Sequence, residues 1–71
     1  MEASARNKLK GTILEIQSGV INGIVVIDLG NGNKISATVS MTAIEELALK
    51  VGAEAYALIK ATSVMVGAEN C

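Results

Sequence analysis

Residues 20–40 read VINGIVVIDLGNGNKISATVS, which is two strand-like segments joined by the turn Gly30-Asn31-Gly32-Asn33. Gly and Asn tolerate the positive φ angles that tight hairpin loops require. After the turn, apolar and polar residues alternate through Lys34–Ser40, so one face of that strand is polar throughout. Before the turn, Gly23 interrupts an apolar segment, and a glycine inside a strand indicates a bulge or a sharp bend. The stretch therefore predicts an antiparallel hairpin with an irregularity at Gly23.

The segments on either side of this hairpin extend the β pattern. Leu9–Gln17 carries β-branched and apolar residues on both parities, which is typical of a strand covered on both faces. Thr42-Ala43-Ile44-Glu45 fits a capping box and predicts a short helix that ends by Gly52. Further strands are predicted at Glu54–Thr62 and Val64–Val66. This order predicts a mainly all-β fold, a five-stranded OB-like Greek-key barrel with one short helix between strands 3 and 4.

The size and composition of the chain predict self-association. Its 71 residues form a single predicted domain, 1–71, of which 51% are hydrophobic. The single cysteine excludes an internal disulfide, and the absence of histidine excludes a His/Cys zinc site. Because the chain carries more apolar surface than so small a monomer can hide, we expect a homo-oligomer. Cys71 is interpreted as an incidental exposed thiol.

Several classes of partner are disfavoured by the same composition. Apolar runs such as Ile24–Ile27 are far shorter than the ~20 residues that a spanning helix needs, so we expect no membrane contact. Met1–Ser4 does not resemble a secretory signal, and we expect cytoplasmic residence. The formal net charge is −1 with dispersed cations, and there is one Tyr with no Phe or Trp. Nucleic-acid binding is therefore not expected, since it needs a basic groove and stacking platforms.

Catalysis and cation binding also lack the residues they need. General acid–base work and nucleophile activation rely on His, a perturbed carboxylate pair or an activated thiol. This chain has no His, and its acidic residues are scattered; Glu45 and Glu46 are adjacent, but neighbours on a helix point about 100° apart. The sequence therefore predicts a protein that is not an enzyme and that binds no bare metal cation.

Two short polar patches at opposite ends of the chain indicate an oxyanion pocket. They are Ser4-Ala5-Arg6-Asn7 and Lys60-Ala61-Thr62-Ser63, and each places one cation among hydroxyl, amide and backbone donors. A dianion must exchange many water hydrogen bonds for protein ones, and hydrogen bonds to charged groups contribute roughly 1.5–3 kcal/mol each. About five of them, with Arg6 and Lys60 supplying the charge, are enough for micromolar binding.

Four segments carry a resemblance to a known family. They are SARNKLKG at 4–11, GNKI at 32–35, EEL at 45–47 and KATSVM at 60–65. With the β-like run between the first two, this arrangement resembles the molbindin family of small molybdate-binding proteins from about Ser4 to Val66. It is also similar to the ligand-binding modules of molybdate-responsive regulators and of molybdate transporter ATPases. The resemblance implies molybdate or tungstate as the ligand and a hexamer built as three dimers. We expect no organic cofactor, because the residues show no feature that would hold one.

The resemblance also implies where the oxyanion binds. In molbindin-like modules one class of site lies between paired subunits, and its motif residues match Ser4, Arg6, Lys60, Ala61 and Ser40 here. Ser40 precedes the predicted helix, so it is either a ligand residue or a plain helix-entry residue. The full predicted set is Ser4, Ala5, Arg6, Asn7, Ser40, Lys60, Ala61 and Ser63.

A second class of family site lies near the threefold axes of a hexamer and is built from loop backbone. Its approximate position matches Ser18, Gly19 and Val20, although an ordinary hairpin turn explains these residues equally well. Where other members carry a Lys-rich stretch after the first strand, this chain has Glu15-Ile16-Gln17-Ser18. The second site that the resemblance implies here therefore lacks these lysines.

Taken together, the residues and the resemblance predict non-enzymatic intracellular storage or buffering of molybdate or tungstate at subunit interfaces. Two alternatives stay open at this point. One is a ligand-free oligomeric interaction module, and the other is binding of molybdopterin, for which the sequence shows no aromatic or glycine-rich feature. Molybdate and tungstate are nearly alike in size and charge, so the sequence does not choose between them.

Overall fold

The computed structural model describes residues 7–69, which form one antiparallel sheet, a short helix and a 3-10 helix. The elements are β1 (Asn7–Gln17), β2 (Asn22–Gly30), β3 (Asn33–Ser40), α1 (Met41–Glu46), β4 (Glu54–Ile59) and the 3-10 helix Ala61–Ser63. The strand order in the sheet is β3-β2-β1-β4. The predicted mainly-β fold with one short helix after the third strand is confirmed, and the curled sheet is consistent with an OB-like barrel.

The β2–β3 hairpin forms as the sequence predicts. Gly30, Asn31 and Gly32 have φ angles of 95°, 55° and 80°, which is the left-handed region that Gly and Asn tolerate. The Gly30 N–H donates to Oδ1 of Asp28 at 2.9 Å and so fixes the entry to the turn. The register of this pair shifts between Asp28 and Gly30, at the turn itself. The hairpin is thus closed by local turn chemistry.

The predicted irregularity at Gly23 is wrong, because this glycine pairs regularly with Val39 across the β2–β3 ladder. A Cβ at Gly23 would lie 2.8 Å from the Gln17 carbonyl oxygen and 3.0 Å from side-chain atoms of Ile44 and Met41. The position therefore needs glycine to let α1 pack closely on the sheet. The irregularity in the β1–β2 pair falls instead on β1, between Ile13 and Glu15.

The core is small and lies on the concave side of the sheet. Its buried residues are Ile13, Val25, Ile27, Ile44 and Ala57. The prediction that β1 is covered on both faces is wrong for the single protomer, because the sheet forms one layer with one covered face. Leu9 and Leu14 each keep 41% of their surface exposed.

The helix begins two residues earlier than the predicted capping box requires. Ser40 is the N-cap, and its Oγ accepts a hydrogen bond from the Ala43 N–H at 3.0 Å. The Met41 N–H donates to the Ile21 carbonyl at 2.8 Å, so the β ladder passes directly into the helix. The predicted cap at Thr42 with Glu45 is therefore wrong, since Thr42 already lies inside α1.

The predicted fifth strand is absent from the part of the chain that the structure describes. β4 ends at Ile59, the 3-10 helix Ala61–Ser63 follows, and Val64–Val66 pairs with no strand within residues 7–69. The sequence pattern predicts that the strand continues to Thr62. In the structure the strand ends at Ile59, and the 3-10 helix takes the place of its last residues. Among the described residues, no helix is long and apolar enough to cross a membrane.

We expect Gly23→Ala to lower the free energy of unfolding by about 1–3 kcal/mol, because the added Cβ forces α1 off the sheet. Gly67→Ala is the matched control, since a Cβ there meets nothing within 4 Å. Urea unfolding at one fixed protein concentration measures both variants. Equal stability of the two variants would contradict the packing role of Gly23.

Candidate functional site

Pairing of β1 with β4 brings the two ends of the chain together. Asn7 opposes Ile59 in this antiparallel ladder, and the Asn7 side-chain amide donates to the Ile59 carbonyl at 3.5 Å. Lys60 follows Ile59 directly, so the end of the N-terminal patch lies beside the start of the C-terminal patch. Ser4, Ala5 and Arg6 lie outside the described residues. Of the two terminal patches, the described residues Asn7 and Lys60–Ser63 therefore lie next to each other at one end of the sheet.

The C-terminal patch is folded as a tight turn. The Ser63 N–H donates to the Lys60 carbonyl at 2.9 Å, and the Val64 N–H donates to the Ala61 carbonyl at 3.3 Å. The 3-10 pattern leaves the Ala61 and Thr62 N–H groups without a carbonyl partner within the turn. All of these residues are exposed. The turn thus presents backbone donors and the Ser63 hydroxyl beside the Lys60 ammonium group.

The charges near this surface favour an anion. Within residues 7–69, Lys60 has no carboxylate partner, whereas Lys10 pairs with Glu54 at 3.7 Å. A separate polar hollow is lined partly by Asp28 and Glu54. Because those carboxylates repel a dianion, the hollow is unsuitable for an oxyanion. The end of the sheet with Lys60 is electrostatically the better place.

Ser40 lies at the opposite end of the sheet. It pairs with Asn22 at the start of β2, whereas Asn7 pairs with Ile59 at the end of β4. Counted along the strands, the Asn22–Ser40 pair and the Asn7–Ile59 pair are about eleven residues apart. At ~3.3 Å per residue this is roughly 36 Å of strand. A single protomer therefore does not bring Ser40 to Lys60.

The predicted second-site residues form the loop between β1 and β2. Ser18, Gly19 and Val20 are exposed, and a Cβ at Gly19 would collide with the Asn22 carbonyl oxygen. The loop lies at the same end of the sheet as Ser40, because the next residue, Ile21, accepts the Met41 N–H. These three residues and Ser40 therefore share one end of the protomer, while Asn7 and Lys60 share the other.

Two features of the described residues were not predicted from the sequence. The first is the 3-10 turn Ala61–Ser63, which leaves the Ala61 and Thr62 N–H groups without a carbonyl partner within the turn. The second is an apolar groove of about 620 Å³ between β3 and β4, where a strand was expected. The small residues Ala55 and Ala57 on one face of β4 signal such a close approach. No cluster of metal-ligating side chains is present between residues 7 and 69.

Comparison with known proteins finds similarity to one domain family and to proteins named for molybdenum or molybdate binding. The TOBE domain family matches residues 3–66 of the chain. A protein of Haemophilus influenzae named probable molybdenum-pterin-binding protein is 61% identical over 69 residues. That alignment covers 97% of this chain and 100% of the relative. The similarity therefore extends over almost the whole length of both proteins.

Two solved structures share the fold at high similarity. A molybdate-binding protein from Sporomusa ovata is 34% identical with a TM-score of 0.88, and the match covers 96% of this chain and 100% of that chain. The cytoplasmic molybdate-binding protein ModG, solved with molybdate bound, is 44% identical with a TM-score of 0.81. That second match covers 86% of this chain and 43% of the ModG chain.

We expect Ser40→Ala to destabilise the fold by about 1 kcal/mol, because it removes the oxygen that caps Ala43. Thr42→Ala is the control that separates the observed cap from the predicted one, and its stability should stay within about 0.5 kcal/mol of the wild type. Parallel urea titrations measure both. A larger loss in Thr42→Ala than in Ser40→Ala would contradict the assignment of the cap.

Proposed function

This chain belongs to the molbindin family, whose domain is the TOBE domain, and from that premise we propose that it binds molybdate or tungstate reversibly without catalysing a reaction. The bound species is the oxyanion as a whole, held by hydrogen bonds and charge rather than by ligation of a bare metal cation. Support comes from the solved relatives, one called a molybdate-binding protein and one carrying molybdate.

The observation that carries this proposal is the β1–β4 pairing that puts Asn7 beside Lys60. A dianion there would meet the Lys60 ammonium group, the Asn7 amide and the N–H groups of Ala61 and Thr62. Arg6 and Ser4 of the adjacent N-terminal patch, with the Ser63 hydroxyl, complete the proposed donor set. Charge-assisted hydrogen bonds from so many donors offset the cost of removing the dianion from water.

Selectivity would follow from a pocket that offers donors and no acceptors. Monohydrogen phosphate carries a proton that needs an acceptor, so it is rejected by a site lined with N–H and O–H groups. Sulfate has no such proton but is smaller, so the size of the cavity must discriminate against it. Molybdate and tungstate are nearly equal in size and charge, and both are proposed ligands.

Ser40 enters the proposed site from a second protomer. The strand register keeps it at the far end of its own sheet, whereas its O–H remains able to donate while Oγ accepts from Ala43. Self-association would also cover the exposed Leu9 and Leu14 side chains. We therefore propose a homo-oligomer, a hexamer of three dimers, with oxyanions at the boundaries between protomers.

The loop Ser18-Gly19-Val20 is proposed as a second oxyanion position within the same assembly. The loop is exposed and lies beside the start of α1, which supports this proposal. The role proposed for the whole assembly is storage or buffering in the cytoplasm, in keeping with the cytoplasmic description of ModG. Direct contacts with nucleic acid or with a membrane form no part of this role.

The name of the Haemophilus influenzae relative raises a second candidate, binding of a molybdenum pterin. A pterin ring calls for an aromatic platform, and Tyr56 is the single aromatic residue of the chain. The Lys8 ammonium group lies 5.2 Å from the centre of the Tyr56 ring and occupies one of its faces. The oxyanion alone is therefore the favoured ligand.

A module that only associates with itself is the remaining alternative, and it predicts no retention of oxyanion in dialysis.

We expect Lys60→Ala to weaken molybdate binding by roughly 10- to 150-fold, which corresponds to loss of one charge-assisted hydrogen bond. Arg6→Ala should weaken it at least as much. Lys50→Ala is the matched control, because it removes the same charge from an exposed position in the loop between α1 and β4. Calorimetric titration with molybdate measures all three variants, and equal affinity in Lys60→Ala and Lys50→Ala would exclude the proposed site.

Ser40→Asp separates the two roles of Ser40. Asp is as good an N-cap as Ser, so stability should stay within about 0.5 kcal/mol of the wild type. The added negative charge should reduce molybdate affinity at least tenfold if Ser40 faces the oxyanion in the assembly. Calorimetry together with urea unfolding gives both numbers, and unchanged affinity would remove Ser40 from the proposed site.

A further inference from the structure

The chain contains two Asn-Gly dipeptides, and the fold places them in opposite surroundings. They are Asn22-Gly23, at the start of β2, and Asn31-Gly32, at the tip of the β2–β3 hairpin. Because glycine has no Cβ, the main-chain nitrogen that follows each asparagine is open to approach by the asparagine side chain. Such a dipeptide is prone to cyclisation, in which the side-chain amide carbon is attacked by that nitrogen.

The nitrogen of Gly23 is held inside the sheet. Gly23 is buried and pairs with Val39. The Met41 N–H donates to the Ile21 carbonyl, and hydrogen-bonded pairs recur at every second residue of an antiparallel ladder, so the Gly23 N–H bonds to Val39. Side-chain atoms of Ile44 and Met41 also pack against this position. A reaction at this nitrogen therefore requires both the ladder and the contact with α1 to open.

The nitrogen of Gly32 lies in open surroundings. Asn31 and Gly32 connect the paired residues Gly30 and Asn33, and their φ angles of 55° and 80° are those of a two-residue type I′ turn. The hydrogen bonds of such a turn join the flanking residues, so the Gly32 N–H takes no part in the β2–β3 ladder. Residues 30–33 are exposed, and within residues 7–69 only adjoining atoms lie within 4 Å of a Cβ built at Gly30 or Gly32. Opening this turn therefore displaces no packed side chain.

We propose that Asn31 is a site of spontaneous deamidation in the folded protein. The Gly32 nitrogen attacks Cγ of Asn31, the new N–Cγ bond forms and the Cγ–Nδ2 bond breaks. Ammonia leaves and takes up the proton of the Gly32 amide through water. A water molecule then opens the five-membered imide at either of its carbonyls, which gives aspartate or isoaspartate. The balance is one water consumed, one ammonia released and one negative charge gained.

The free energy of local opening sets the difference between the two asparagines. The ring closes only after the Asn31 backbone rotates out of its left-handed conformation, so the reaction follows transient opening of the turn. Local opening costs little at exposed turns and far more in packed ladders. We expect Asn31 to react at least tenfold faster than Asn22, which corresponds to a difference of about 1.4 kcal/mol in the free energy of opening.

The two products have different consequences for the hairpin. Asp-Gly forms type I′ turns as Asn-Gly does, so the aspartate product keeps the turn. Isoaspartate carries the main chain through the former side chain and adds one methylene to a turn of two residues. The β2–β3 register depends on that loop length. The isoaspartate product is therefore expected to weaken the pairing of β2 with β3.

The first test measures the two rates in one peptide. Wild-type protein is incubated at mildly alkaline pH, folded or in concentrated denaturant, and then cleaved with trypsin. Cleavage after Lys10 and Lys34 releases both asparagines in the peptide 11–34, and its fragmentation in a mass spectrometer places the added mass of the acid. We expect the faster reaction at Asn31 in the folded protein and similar rates at Asn22 and Asn31 in denaturant. Equal rates in the folded protein, or reaction at Asn31 in denaturant alone, would overturn the proposal.

The second test separates the effect of the altered main chain from that of the added charge. The isoaspartate form of aged wild-type protein is isolated by ion exchange and compared with Asn31→Asp, which carries the same charge on an unaltered main chain. Urea unfolding at one fixed protein concentration is expected to give a lower midpoint for the isoaspartate form. Equal midpoints would refute the consequence for the hairpin. Neither measurement involves an oxyanion, so both outcomes are independent of the proposed function.

Discussion

The central strand β1 pairs with both β2 and β4, and the rest of the structure depends on this double pairing. Its first half pairs with β4 from Asn7 to Thr12, and its second half pairs with β2 from Thr12 to Gln17. Because one strand serves both ladders, the sheet curls around Ile13, which is fully buried. The same pairing joins residue 7 to residue 59, and so the polar patches from the two ends of the sequence meet.

A sheet of one layer leaves an excess of apolar surface, and this excess connects the fold to the proposed assembly. The described core consists of five buried residues, which is little for 71 residues of which half are hydrophobic. Further apolar side chains stay exposed on β1, as at Leu9 and Leu14, in the loops, and along residues 64–66, and others line the groove between β3 and β4. Assembly that covers these surfaces would stabilise the fold and bring the two distant ends of neighbouring protomers together. Stability and oxyanion binding would then depend on the same contacts.

Local sequence signals predicted local structure well. The turn at Gly30–Gly32 and the alternation through β3 follow from residue chemistry over a few positions, and both are found. Gly23, the Ser40 cap and the missing fifth strand were misjudged, because each depends on a neighbour distant in sequence. Glycine is needed at position 23 because α1 packs closely there. The position of the cap is set by the hydrogen bond from the Met41 N–H to the Ile21 carbonyl. In the same way, the sequence placed Asn7 and Lys60 in one candidate site, but only the strand register revealed that Ser40 lies at the other end.

The central claim is that donors around Lys60 surround an oxyanion at a boundary between protomers. An anomalous difference map at the molybdenum absorption edge, from crystals grown with molybdate, tests it most directly. The expected result is a peak about 4 Å from Lys60 Nζ and from the Asn7 side-chain amide, one metal–oxygen bond plus one hydrogen bond away, with a second protomer in contact. Peaks confined to the hollow beside Asp28 or to the groove between β3 and β4, with none near Lys60, would contradict it.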